Sequence, residues 1–147
     1  MRVLAIETAT PLASAAAVDE DGVLAESVLR APMYHLEWLL PAVEAMLGYL
    51  ALSPDAIEGV AVSCGPGGFT GLRIGIATAA AMRASLGDRA RAGGPHLHPR
   101  AAVVGLFALP HLLRGDRVEP AALRPLYGRR PVAWPRQETM GGGGNPQ

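Results

Sequence analysis

Apolar residues fall along this chain first in short runs and then in a helical period. Apolar runs at Arg2–Ile6, Ala13–Val18 and Gly59–Val62 predict strands, and Val23–Leu29 after a turn signal predicts another. A run with no polar alternation is one covered on both faces, so Arg2–Ile6 is expected at the centre of a sheet. Asp19-Glu20-Asp21-Gly22 separates the second and third runs, and its Asp-Gly pair predicts a hairpin. Leu36–Leu50 then predicts a helix with Leu39, Leu40, Val43, Met46, Leu47 and Leu50 on one face. A second face carries Trp38, Ala42, Ala45 and Tyr49, and only Glu37, Glu44 and Gly48 interrupt the apolar surface. Pro41 either starts the regular helix or kinks its first turn. Ser53 reads as an N-cap with Pro54 at the first helical position. Leu72–Met82 predicts a further helix whose only charge is Arg73, and Arg100–Leu113 another with Pro110 near its end.

Up to Leu86 the predicted order is β-β-β-α-β-α, which gives an α/β fold with a mixed sheet and helices packed on it. The expected organisation is an N-terminal unit over 1–86, a linker over 87–98, a C-terminal segment over 99–131 and a tail over 132–147. The glycine-rich end, Met140–Gln147, has the composition of disorder. Both long helices are apolar nearly all round, and such helices are normally buried all round. A single sheet covers one face of each. Their second faces therefore either form a protein–protein interface or bury against each other and the C-terminal helix. Gly71, Gly75 and Ala79 recur on one side, a spacing that lets another helix approach closely.

Composition narrows the chemistry. Net formal charge is zero, so no overall field draws in nucleic acid or an anionic membrane. All 13 basic residues are arginine, which excludes a Schiff-base or phosphate-binding lysine. Cys64 is the only cysteine, so an intrachain disulfide is excluded and a reducing cytoplasm is the expected location. The N-terminal apolar run is too short for a secretory leader and closes on Glu7. The longest apolar stretch, Ile74–Met82, falls well short of the ~20 residues of a membrane span.

The candidate chemistry centres on Ser63-Cys64-Gly65-Pro66-Gly67-Gly68-Phe69-Thr70-Gly71, a glycine-rich turn between a strand and a helix. Backbone N–H groups there could meet an anion. The turn lacks a Gly-Lys-Ser/Thr ending, which favours a structural turn over an autonomous nucleotide site. Glu7, Thr8 and Thr10 follow the first strand, where α/β folds bind ligands; an acid with two hydroxyls suits a metal-bound phosphate, and equally a turn with locally bonded hydroxyls. His35 and Glu37 lack further ligands for a metal, as do His96 and His98. Ser63 and Cys64 have no evident base. Arg124, Arg129 and Arg130 form a short cluster that suits RNA phosphate or a solvated surface.

Three segments in order, Leu4–Thr10, His35–Pro41 and Val62–Gly75, together resemble the TsaB (YeaZ) family, and Pro99–Pro131 resembles its C-terminal signature ending in Pro-x-Tyr-x-Arg. Glu7 stands where that family more often has Asp, and Gly68 where it often has Ser. A strand, a helix and most of a second subdomain that members carry after the second helix have no counterpart here. The resemblance implies an incomplete actin-like, ribonuclease-H-like ATPase subdomain. It implies a non-catalytic subunit of threonylcarbamoyladenosine formation on tRNA, with no cofactor of its own and no membrane. ATP and a metal are expected on its partner subunits, a TsaD-like catalytic subunit and a TsaE-like ATPase, with tRNA met only indirectly and a homodimer formed where the partner is absent. The expected partner interface is Leu39, Leu40, Val43, Leu47, Gly71, Ile74, Gly75 and Thr78, and a vestigial nucleotide-binding set is Glu7, Thr8, Thr10, Gly67 and Gly68. Two alternatives stay open: a nucleotide-binding ATPase-like protein, and a truncated member without function.

Overall fold

The computed structural model describes residues 1–30, 35–86, 100–116 and 118–127. The expected linker, His96, His98, Arg129, Arg130 and the glycine-rich tail lie outside them. In chain order the elements are β1 (Val3–Glu7), β2 (Leu12–Asp19), β3 (Gly22–Arg30), α1 (His35–Tyr49), a 3-10 turn at Pro54–Ala56, β4 (Gly59–Val62), α2 (Phe69–Leu86), α3 (Ala101–Leu113) and a 3-10 turn at Pro120–Ala122.

The strands form one mixed sheet in the order β3-β2-β1-β4. β1 pairs antiparallel with β2 and parallel with β4, and is buried along its whole length as its unbroken apolar run requires. The β2–β3 hairpin forms, with its turn one residue earlier than the Asp-Gly pair suggests. Glu20 and Asp21 make the turn, Gly22 at φ +129° pairs with Asp19, and the Asp21 N–H donates to Asp19 Oδ1 at 3.0 Å. α1 runs unbroken through Pro41 from His35. Glu37 and Pro41 are both exposed, so water can serve the carbonyl that Pro41 leaves without a donor. Ser53 sits ahead of Pro54 in extended conformation and makes no side-chain cap.

Two cores lie on opposite faces of the sheet. On one, Leu4, Ile6, Ala15, Ala17, Val60 and Val62 pack against Leu39, Val43, Met46 and Leu47 of α1 and Ala79 of α2. On the other, Val3, Ala5, Ala16, Val18 and Ala61 pack against Ala101, Val104, Ala108, Leu109 and Leu112 of α3. The alanine run of β2 faces both layers, and its small side chains let helices approach from each side. The sheet itself caps α3: Ser14 Oγ accepts from Ala101 N at 2.8 Å and Glu26 Oε1 from Ala102 N at 3.1 Å. Two orphan donors of the first helical turn are thereby satisfied.

Because α3 lies across the sheet from α1 and α2, it cannot cover their second faces. The part of the packing alternative that relies on the C-terminal helix fails on this placement. Gly105 sets how closely α3 sits, since a β-carbon there would come 2.8 Å from Val18 Cγ2 and 3.1 Å from Ala5 Cβ. Gly105→Val is expected to destabilise the fold by about 1–3 kcal/mol through overpacking, read as a lower urea midpoint.

Candidate functional site

The glycine turn works as a clasp. The Gly68 N–H donates to Ala9 O at 2.8 Å, and the Thr8 hydroxyl donates to Gly71 O at 2.8 Å. A β-carbon on Gly67 would lie 2.3 Å from Ala9 O, one on Gly71 2.0 Å from Thr8 O, and one on Gly75 2.2 Å from Thr8 Oγ1. These glycines are therefore required by the loop after β1, which presses against the start of α2. The stripe Gly71–Gly75–Ala79 turns inward to that loop and the sheet, and does not meet a second helix as its spacing suggests. A bulky residue at Gly75 would act inside the chain before it acted on any partner.

A second strap closes the clasp from the C-terminal side. Leu126 N donates to Cys64 O at 2.7 Å, and Tyr127 bridges Gly67 in parallel pairing. Gly65 takes φ +106°, a value few side-chain-bearing residues adopt. Arg83 and Glu119 add a two-pronged ion pair at 3.2 Å on each prong, tying α2 to the strap.

The groups a nucleotide phosphate would need are thus engaged internally. Thr8 serves Gly71, Gly68 serves Ala9, and the Thr10 hydroxyl donates to Leu12 O at 3.0 Å within its own turn. Buried Glu7 accepts from Ala9 N. His35 is buried and donates from Nε2 to Thr10 O at 3.1 Å, which pins α1 to the same loop. A pocket of about 390 Å³ remains beside the clasp, lined by Thr8, Thr10, His35, Phe69, Thr70 and Ile74 among others. Among the described residues no group of three or more His, Cys, Asp or Glu is placed to hold a metal. Arg124 donates to the carbonyls of Ala121 and Leu123, a local cap.

Burial, and then the charge of Glu7, push the Cys64 thiol above its ordinary pKa. A folded-state value raised in this way favours the protonated form, so the associated stability is present at neutral pH and is lost as pH rises through the thiol's range. Cys64 is expected to resist iodoacetamide in the native chain at pH 8 and to react fully in urea, followed by mass spectrometry.

The second candidate site is a groove of about 550 Å³ between α1 and α2, on the face that α3 leaves uncovered. Leu40, Val43, Glu44 and Leu47 form one wall, and Ala77, Thr78, Ala81, Met82 and Ser85 the other. Leu4 and Ile57 line its floor. Glu44 is the one charge among these residues. Of the residues expected at an interface, Leu40 is 47% exposed and Thr78 half-buried, both on the groove walls. Val43 and Leu47 line it from the core, Leu39 is fully enclosed, and Ile74 faces the smaller pocket instead. Sequence reasoning missed Ala77, Ala81, Met82 and Ser85. Their spacing from Thr78 along one helical side was the available signal.

A family model described as tRNA N6-adenosine threonylcarbamoyltransferase, TsaD, matches residues 13–90. The threonylcarbamoyladenosine biosynthesis protein TsaB of Escherichia coli is 42% identical over 79 residues, 54% of this chain and 34% of that protein. Its Bacillus subtilis counterpart is 34% identical over 86 residues, 58% of this chain and 38% of that protein. An uncharacterised Mycobacterium tuberculosis protein is 47% identical over 87 residues, 58% of this chain and 41% of its own length. Among solved structures, YeaZ from Pseudomonas aeruginosa superposes with a TM-score of 0.58 at 29% identity, covering 63% of this chain and 42% of that one. This chain spans less than half the length of these relatives.

Proposed function

Since the chain belongs to the TsaB/YeaZ family, with its actin-like fold, we propose that it is a non-catalytic scaffold for threonylcarbamoyladenosine formation on tRNA. It holds a TsaD-type catalytic subunit through the α1–α2 groove, and a TsaE-type ATPase joins that pair. The observation that carries this reading is the groove itself: an apolar trough between two helices, on the face of the sheet opposite α3. Apolar surface at the centre of an interface, with little charge, is the composition of a stable contact. Glu44 on its wall suits a basic group on the partner.

The clasp supports the non-catalytic part. Its hydroxyls and N–H groups are used to seat α2, and ATP and any metal are left to the partner subunits. When the catalytic subunit is absent, a second copy of this chain occupies the groove. The test is co-expression with the cognate TsaD-type subunit followed by size-exclusion chromatography. A one-to-one complex supports the reading, and elution of two separate proteins contradicts it. ATP titrated into the isolated chain is expected to give no saturable heat, whereas micromolar binding would favour the ATPase reading instead.

A further inference from the structure

Phe69 opens α2 and is 56% exposed, an unusual state for a phenylalanine at the rim of a pocket. Tyr127, 42% exposed, stacks on it with ring centroids 5.0 Å apart and planes 28° from parallel. The guanidinium carbon of Arg73 lies 4.9 Å from the Phe69 centroid. The three side chains form one column of Tyr, Phe and Arg that the solvent reaches. Below it opens the smaller pocket, with the Thr70 and Thr10 side chains on its wall. Arg73 is exposed, and the first turn of α2 carries no acidic residue to neutralise it.

We propose that this column forms a contact site for one unpaired nucleotide of RNA. The base extends the Tyr127–Phe69–Arg73 stack, and its phosphate pairs with the exposed Arg73 guanidinium. Stacking reads no sequence, because every base has a π-face, so the site selects unpaired over paired RNA. That the RNA is a tRNA rests on the function proposed above, while the stack does not. The site lies off the α1–α2 groove, so RNA contact and partner binding separate in experiment.

The test is fluorescence anisotropy at 50 mM salt with two labelled probes, a hairpin RNA with a seven-nucleotide loop and the same stem fully paired. The wild-type chain, alone and in complex with the catalytic subunit, is expected to bind the looped probe more tightly than the duplex. Phe69→Ala is expected to weaken loop binding roughly 10-fold or more, as loss of one stacked base implies, and Phe69→Tyr to retain it. Arg73→Gln should lower the salt dependence by about one phosphate contact. Circular dichroism confirms that each variant folds. Equal affinity for loop and duplex, no detectable loop binding, or a Phe69→Ala chain that binds as wild type overturns the proposal. Weakened binding of the catalytic subunit by Phe69→Ala with no change in RNA binding would make the column a protein contact and would also overturn it.

Discussion

Gly71→Ala is expected to destabilise the fold even though alanine is the better helix former. Propensity alone favours the substitution by about 0.8–1 kcal/mol. Against it stands a β-carbon placed 2.0 Å from the Thr8 carbonyl oxygen, an atom held by the end of the central strand. Overpacking of this kind costs about 1–3 kcal/mol. Moving α2 away also breaks the Thr8 hydroxyl bond to Gly71 O, worth about 1 kcal/mol. The net loss is about 2 kcal/mol, a large share of the roughly 5–15 kcal/mol that holds a domain. Gly48→Ala supplies the control, because nothing lies within 4 Å of a β-carbon on that α1 residue. It should be neutral or stabilise by up to about 1 kcal/mol. Urea unfolding of the two variants should move the midpoint in opposite directions. A Gly71→Ala chain as stable as wild type would remove the clasp from the account.

Leu40→Arg has the other large expected effect, on association and not on folding. Leu40 is 47% exposed, so its replacement should alter stability by no more than about 0.5 kcal/mol. Arginine at 40 also stands four residues before Glu44 on α1, which favours the helix by a few tenths of a kcal/mol, about 0.2–0.5. In the groove the same change puts a charge into the apolar wall. A central anchor of this type costs about 2 kcal/mol or more, so affinity for the proposed TsaD-type partner should fall roughly 30-fold or further. Tyr49→Ser, on an exposed α1 side chain outside the groove, should leave it within about threefold, as near-neutral peripheral positions do. Isothermal titration with the catalytic subunit reads both.

Much of this architecture was legible in the sequence because local signals and tertiary packing agree. β1 is unbroken apolar sequence and lies centrally; the Leu36–Leu50 pattern became α1 within one residue at each end. What the pattern could not convey was direction. Gly71 and Gly75 show small size at helical spacing, and size alone does not say whether a helix or a loop fills the space they leave. The answer lay in Thr8, 63 residues from Gly71 along the chain. The caps of α3 were hidden for the same reason, since Ser14 and Glu26 come from strands and not from the residues preceding the helix. The strap at Leu126 and Tyr127 could be read only as a family signature, because a parallel pairing across such a separation leaves no local mark.

The groove itself was visible as a surplus of apolar residues on α1 and α2, with its far wall unassigned. Amide hydrogen exchange of the chain, free and with a TsaD-type subunit bound, locates the docking face. New protection is expected along the outer sides of α1 and α2, in peptides holding Leu40, Glu44, Thr78 and Met82, with α3 unchanged. Protection gathered on α3 or the β3 edge, with none on α1 and α2, would contradict it.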